Sequence, residues 1–291
     1  MNKRREFIIN SGLTISALAI MPSFAFSNIK KNIGIQLYTL RSVFPSDVRG
    51  TIEKIAKIGY KEVELYGFAS VNGFFGTSAK ELKAILTDTG LKSPSGHFDF
   101  YNYLKNKDAL DDVKELIETA KILGCKYITI PYLAKDLREN GIDSYKLIAE
   151  KINKAAEICQ SSGIQLAYHN HDFEFEKIGI TTGFEVLLNE TDKNLVDFEI
   201  DLYWVIRSGN NPLQLFKDNP KRFSMWHVKD MDKIKPEWNT EIGNGSINFN
   251  EIFAYAKLSG MKHFYVEHET NYQPNLFESV EKSYNYILTN L

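Results

Sequence analysis

One feature limits more than any other what this chain can fold into. Short apolar runs alternate with longer stretches of helical apolar spacing, from Ile33 to the C-terminus. Residues 33–38, 61–66, 91–98, 127–130, 164–169, 195–201, 222–229 and 262–267 read as strands, the third interrupted by Pro94. Residues 47–58, 78–86, 108–123 and 143–162 read as helices between the earlier ones. Gly59, Gly90, Gly124, Gly163 and Gly260 each stand between a helical pattern and a strand. Glycine there accepts the left-handed conformation that ends a helix. Strand, helix, strand, helix implies parallel strands joined by right-handed crossovers. Eight units predict one α/β domain, a closed (β/α)8 TIM barrel over residues 32–291. The alternative is an open doubly wound sheet. No Gly-x-Gly-x-x-Gly follows the first strand, so its dinucleotide-binding version lacks support.

The first 27 residues read differently. Lys3-Arg4-Arg5 precedes a modest apolar run, residues 13–26, broken by Ser16 and Pro22 and too short to span a bilayer. Ala25-Phe26-Ser27 has the small-x-small form of a cleavage site. The segment resembles a twin-arginine signal peptide, which predicts export, to the periplasm, with no stable membrane anchor. Formal net charge is -2, so bulk electrostatics draw the chain to neither nucleic acid nor anionic membrane. The two cysteines, Cys125 and Cys159, make no disulfide framework and read as buried thiols.

In such a barrel the functional side chains stand at the C-terminal ends of the strands. Those ends offer Glu64, His97, His169, Asp201, His227 and Glu267. Four consecutive strands end in His, Asp, His and Glu, and mixed imidazole and carboxylate donors suit one divalent ion such as Mn, Co, Fe or Zn. His171 follows His169 by two residues and shares its face if the strand runs that far. Lys229, next along from the proposed ligand His227, is expected to reach the site only if the chain has left the strand there. Glu64, His97 and Trp204 are candidate substrate contacts, and Tyr38, Phe173 and Trp226 are further candidates for an aromatic sugar-stacking wall. Gly243-Asn244-Gly245 reads as a turn.

The segments Gly34-Ile35-Gln36-Leu37-Tyr38-Thr39, Gly59-Tyr60-x-x-Val63-Glu64, Tyr168-His169-Asn170-His171, Phe198-x-x-Asp201, His227-Val228-Lys229-Asp230 and Val266-Glu267 carry a resemblance. They resemble the sugar phosphate isomerase/epimerase group of the xylose-isomerase-like barrel superfamily, to which endonuclease-IV-like barrels are related. The resemblance implies one metal ion held by His169, Asp201, His227 and Glu267. The ketose 3-epimerase branch has glutamate at the first of these positions, so its two-glutamate mechanism does not carry over to His169. The implied chemistry is enolisation of a sugar or keto-sugar through an enediolate, with Glu267, Glu64, His171 and Lys229 as candidate bases. Reprotonation makes an isomerase or epimerase. Loss of the next substituent makes a lyase or hydratase on a 3-keto-glycoside. A carbohydrate-binding barrel without turnover is the further alternative, and a nuclease has too few strand-end histidines here. The expected partner is a small sugar, and homo-oligomerisation is left open.

Overall fold

The computed structural model describes residues 32–68, 73–106 and 109–291, so the twin-arginine segment lies outside the described residues. Eight parallel strands form one sheet: β1 Gly34–Gln36, β2 Glu62–Leu65, β3 Lys92–Gly96, β4 Tyr127–Ile130, β5 Gln165–His169, β6 Val196–Asp201, β7 Met225–Val228 and β8 His263–Val266. Their ladder runs β3-β2-β1-β8-β7-β6-β5-β4. The two end strands meet across a thinner seam. Lys126 N donates to Pro94 O at 2.7 Å, Phe98 N donates to Thr129 O at 3.0 Å, and His97 bridges Thr129. The sheet therefore curls round as a (β/α)8 TIM barrel in a single domain, and the open sheet is excluded.

Pro94 sits inside β3, where a proline cannot donate to a ladder. The strand absorbs it by a register shift: Glu62 pairs with Lys92 but Glu64 pairs with Ser95. This bulge turns Ser95 toward Glu64, whose Oε1 accepts from Ser95 Oγ at 2.5 Å.

Side chains alternate across every strand. One set, including Ile35, Val63, Ile128, Leu166, Phe198, Trp226 and Phe264, packs outward under the helices in the main core. The opposite set fills the lumen. Tyr127, Ala167, Met225 and Tyr265 form a separate apolar plug there. Gly34 belongs to the same layer, and a Cβ on it would fall 2.6 Å from Phe264 O and from the Tyr265 ring. Above the plug the lumen turns polar: Gln36, Glu64, Ser95, Thr129, His169, Glu199 and His227 are all buried.

Local signals place the helices. Ser78 with Glu81, and Thr182 with Glu185, form capping boxes at the starts of Ala79–Asp88 and Gly183–Glu190. Gly124 closes the helix Leu110–Leu123 in the left-handed region at φ 86°. Gly260 closes Ala256–Ser259 at φ 90°, with Lys221 Cα only 2.8 Å from where a Cβ would stand. Cys125 and Cys159 are buried and free, as expected.

Candidate active site and metal centre

The register of β5, β6 and β7 assembles the site. His169 pairs with Glu199 and Asp201 pairs with His227, so all four stand on the luminal face at the C-terminal end. β8 brings His227 level with Tyr265 and sets Glu267 one step above. His97 follows directly on the end of β3. Asp201 doubles as the N-cap of the helix Leu202–Arg207, its Oδ1 accepting from Tyr203 N and Trp204 N. That leaves its Oδ2 toward the lumen.

Two groups of donors result. In the deeper one, donor atoms of His97, His169, Glu199 and His227 lie within 4.8 Å of one another. Glu199 Oε2 is 2.7 Å from His97 Nε2, 3.2 Å from His227 Nε2 and 3.3 Å from His169 Nδ1. Glu64 Oε2 borders the group, 2.6 Å from His227 Nε2 and accepting from Gln36 Nε2 at 2.7 Å. In the upper group, Asp201, His227 and Glu267 come equally close. His227 Nδ1 is 2.9 Å from Glu267 Oε2. His169 joins this group only loosely, its Nε2 4.0 Å from Asp201 Oδ2. The sequence-predicted quartet is thus one tight triple with His169 at the junction to the deeper set.

Lys229 points inward, and it does not need the chain to leave the strand to do so: two residues after His227, it keeps that residue's luminal face by alternation. Its Nζ lies 3.1 Å from Asp201 Oδ2, 2.7 Å from Glu267 Oε2 and 2.5 Å from Glu269 Oε1, with only 1% of the side chain exposed. Burial opposes the ammonium, but Asp201, Glu267 and Glu269 together outweigh that and hold its pKa well above the usual lysine range.

The remaining protonation states follow from the same contest. Burial, aided by Glu199, pushes Glu64 up to about 7. Burial drives His169 down to about 3, with the charge of His227 adding to it. Burial and then His169 hold His171 well below the imidazole range, so its ring is neutral. His227 is buried too, but Glu199 and Glu267 overcome that and raise it. Burial also opposes charge on Glu199 and Glu267, yet each is held well below the carboxylate range, the first by His227 and His97, the second by Lys229 and His227. Burial lifts Asp201 to about 6, with Lys229 pulling the other way.

Above these groups opens a cavity of about 490 Å³. His97, His169, His171, Glu267 and Glu269 line its floor, and Tyr38, Tyr66, Phe68, Tyr101 and Tyr132 line its walls. Of the sequence-predicted substrate contacts, His97 reaches the cavity. Glu64 lies beneath the floor, fully buried. Trp204 stands behind the floor, 5.7 Å from the His171 ring and 5.4 Å from Lys229 Nζ. Trp226 is not part of the wall: it faces outward and stacks on Phe216 at 5.0 Å. Phe173 backs His171 in a parallel stack at 5.7 Å, and Tyr38 does line the cavity. Gly243-Asn244-Gly245 is a turn, held by Asp230, whose carboxylate accepts from Gly243 N and Gly245 N.

Sequence reasoning passed over Glu199 and Glu269. Glu199 had a legible signal, since it lies two residues before Asp201 and so shares its face of β6. Glu269 lies beyond β8 and had none.

The donor chemistry fits a divalent ion. Three imidazoles and several carboxylates converge in a buried space, and Glu199 Oε1 and His169 Nδ1 make no hydrogen bond among the described residues.

Together these features define a (β/α)8 barrel whose ionisable groups gather at the C-terminal strand ends. The profile of the xylose isomerase-like TIM barrel family matches residues 52–287, and the chain belongs to that family. An inosose dehydratase of Clostridium botulinum (strain Alaska E43 / Type E3) is 26% identical over 215 residues, 68% of this chain and 67% of that protein. The crystal structure of a sugar phosphate isomerase/epimerase from Parabacteroides distasonis ATCC 8503 superposes with a TM-score of 0.79 at 28% identity, covering 90% of this chain and 94% of that one. The IOLI protein, whose structure has a bound zinc atom, shares the fold at a TM-score of 0.67 and 16% identity, covering 88% of this chain and 97% of that one.

Proposed function

We propose that this protein is a metal-dependent enzyme that enolises a sugar or keto-sugar and returns the proton to make an isomer or epimer. The observation that carries this reading is the juxtaposition of cavity and cluster. A sugar-sized, aromatic-walled cavity opens onto His97 and His169, two members of a buried imidazole–carboxylate cluster. Of the nominated metal ligands, His169 and Glu267 line that cavity, and Asp201 and His227 stand beside them, within 4.0 Å of His169 and 2.9 Å of Glu267 respectively. A bound divalent ion supplies Lewis-acid polarisation of a carbonyl, which acidifies the neighbouring C–H.

The chain's own residues supply the rest. Tyr38, Tyr66 and Tyr132 offer ring faces to the apolar side of a sugar. Glu267 is ionised at neutral pH and its carboxylate lines the cavity, so it is the nominated base. Lys229 holds that carboxylate in place and in its charged form. His171, neutral and also lining the cavity, is the second group able to accept or return a proton.

A second outcome of the same enolisation is elimination, making the protein a dehydratase or lyase on a keto-polyol or 3-keto-glycoside. Two observations favour it: the C. botulinum relative is named for dehydration, and His169 stands where a two-glutamate epimerase needs a carboxylate.

The test is solvent deuterium exchange into a panel of keto-sugars and keto-inositols, with metal content measured on the same samples. Wild-type protein should exchange the proton beside the carbonyl. Glu267→Gln should lose exchange more severely than it loses metal. Full exchange in that variant would move the base role to His171, Glu64 or Lys229. A folded, metal-loaded wild type that exchanges nothing would instead be a carbohydrate-binding barrel. We also propose export through the Arg4-Arg5 segment; unchanged delivery after both are replaced by lysine would count against it.

A further inference from the structure

We infer that the divalent ion rests one layer below the cavity floor, on His97, His169, Glu199 and His227, with Asp201, Glu267 and Lys229 as its outer shell. This rests on the metal-dependent reading above but assigns the ion a different seat from the strand-end quartet.

The decisive group is His227. Its two ring nitrogens face opposite sets: Nδ1 meets Glu267 at 2.9 Å, while Nε2 meets Glu64 at 2.6 Å and Glu199 at 3.2 Å. Carboxylates face both nitrogens, so an ion at Nε2 would take the place of the hydrogen shared there with Glu64 and Glu199 and leave Nδ1–H donating to Glu267. Metal-binding histidines are characteristically oriented in this way, by a carboxylate on the far nitrogen. To serve the upper set, His227 would have to give up its bond to Glu267.

The upper carboxylates are also already neutralised. The ammonium of Lys229 sits between Asp201 and Glu267 at 3.1 and 2.7 Å, and a second cation among them would meet it at close range. No lysine or arginine pairs with Glu199 among the described residues; its near neighbours are His97, His169 and His227. Its Oε1 and His169 Nδ1 are buried without a hydrogen-bond partner, as donors awaiting an acceptor of their lone pairs would be. Glu64 stands beside the set and adds negative charge to it.

The seat is nevertheless reachable. His97 and His169 line the cavity, whereas Glu199 and His227 form the side away from it. One flank of the ion would therefore face the substrate, the arrangement an open coordination position needs. Three imidazoles and one carboxylate select a borderline ion, zinc, cobalt(II) or iron(II), over magnesium or calcium.

The experiment is calorimetric titration of chelator-stripped protein with zinc and, separately, cobalt(II), with circular dichroism to check folding. Wild type should bind one ion per chain. His97→Ala and Glu199→Gln should each weaken zinc about 100-fold or more, while Asp201→Asn should weaken it by less than about 10-fold, the lesser effect of an outer-shell change. His97 is at a strand end and only partly buried, so its variant decides the matter if Glu199→Gln fails to fold. Wild-type affinity in folded His97→Ala, with the large loss falling on Asp201→Asn, would return the ion to the upper set and overturn this assignment alone. A folded wild type that binds neither ion would overturn both this inference and the metal-dependent reading beneath it.

Discussion

Replacing Glu174 by glutamine tests the electrostatic argument at a buried carboxyl outside the candidate metal ligands. Glu174 is fully buried in the turn after β5, where Oε1 accepts from Tyr168 Oη at 2.5 Å and Oε2 accepts from His171 N at 2.9 Å. Burial raises it from 4.5 to about 7, although those hydrogen bonds pull the other way. The folded value therefore lies above the unfolded one. Such a group contributes its stability in full below about pH 4.5 and loses it as pH rises through about 7. Two and a half units at about 1.4 kcal/mol each make roughly 3 kcal/mol lost between pH 4.5 and pH 8. Glutamine is never charged, and it can meet both neighbours: its oxygen accepts from His171 N, and its amide donates to the Tyr168 hydroxyl, which can accept as well as donate. Wild type and Glu174→Gln should then be within about 1 kcal/mol at pH 5, and the variant should be the more stable by roughly 3 kcal/mol at pH 8. Urea unfolding of both proteins at pH 5, 6, 7 and 8 measures this. Stability curves that stay parallel across that range would refute the assignment of a raised carboxyl to Glu174.

Two other perturbations follow from the packing. Lys229→Met leaves Asp201 and Glu267 buried without their ammonium and should cost about 3 kcal/mol or more, read from denaturant midpoints at pH 7; a loss under about 1 kcal/mol would mean that solvent or another cation already screens them. Gly34→Ala puts a methyl 2.6 Å from Phe264 O and the Tyr265 ring in the lumen, and should destabilise the barrel by about 1–3 kcal/mol while leaving zinc affinity unchanged.

Much of this architecture was legible in one dimension, and the reason is local. A run such as Tyr127–Ile130 between Gly124 and a helical pattern can only be a strand, because backbone hydrogen bonds and apolar burial leave short segments few choices. The glycine stops and helix caps act within a few residues, so they too are written in the chain. Strand ends followed, and with them His169, Asp201, His227 and Glu267. Register and closure are a different matter, because they depend on strands far apart in sequence. Only the pairing of β5, β6 and β7 shows that Glu199 faces His169 and that Asp201 faces His227. Alternation alone keeps Lys229 on the luminal face of His227, but only the pairing of β7 with β8 shows that it meets Glu267 there. Trp226, plausible as a sugar platform by composition, is assigned to the outer face because its neighbour His227 takes the lumen. A strand apolar on both sides carries no mark of which face is inside; the barrel decides that when β3 meets β4, and the make-up of the site is settled with it.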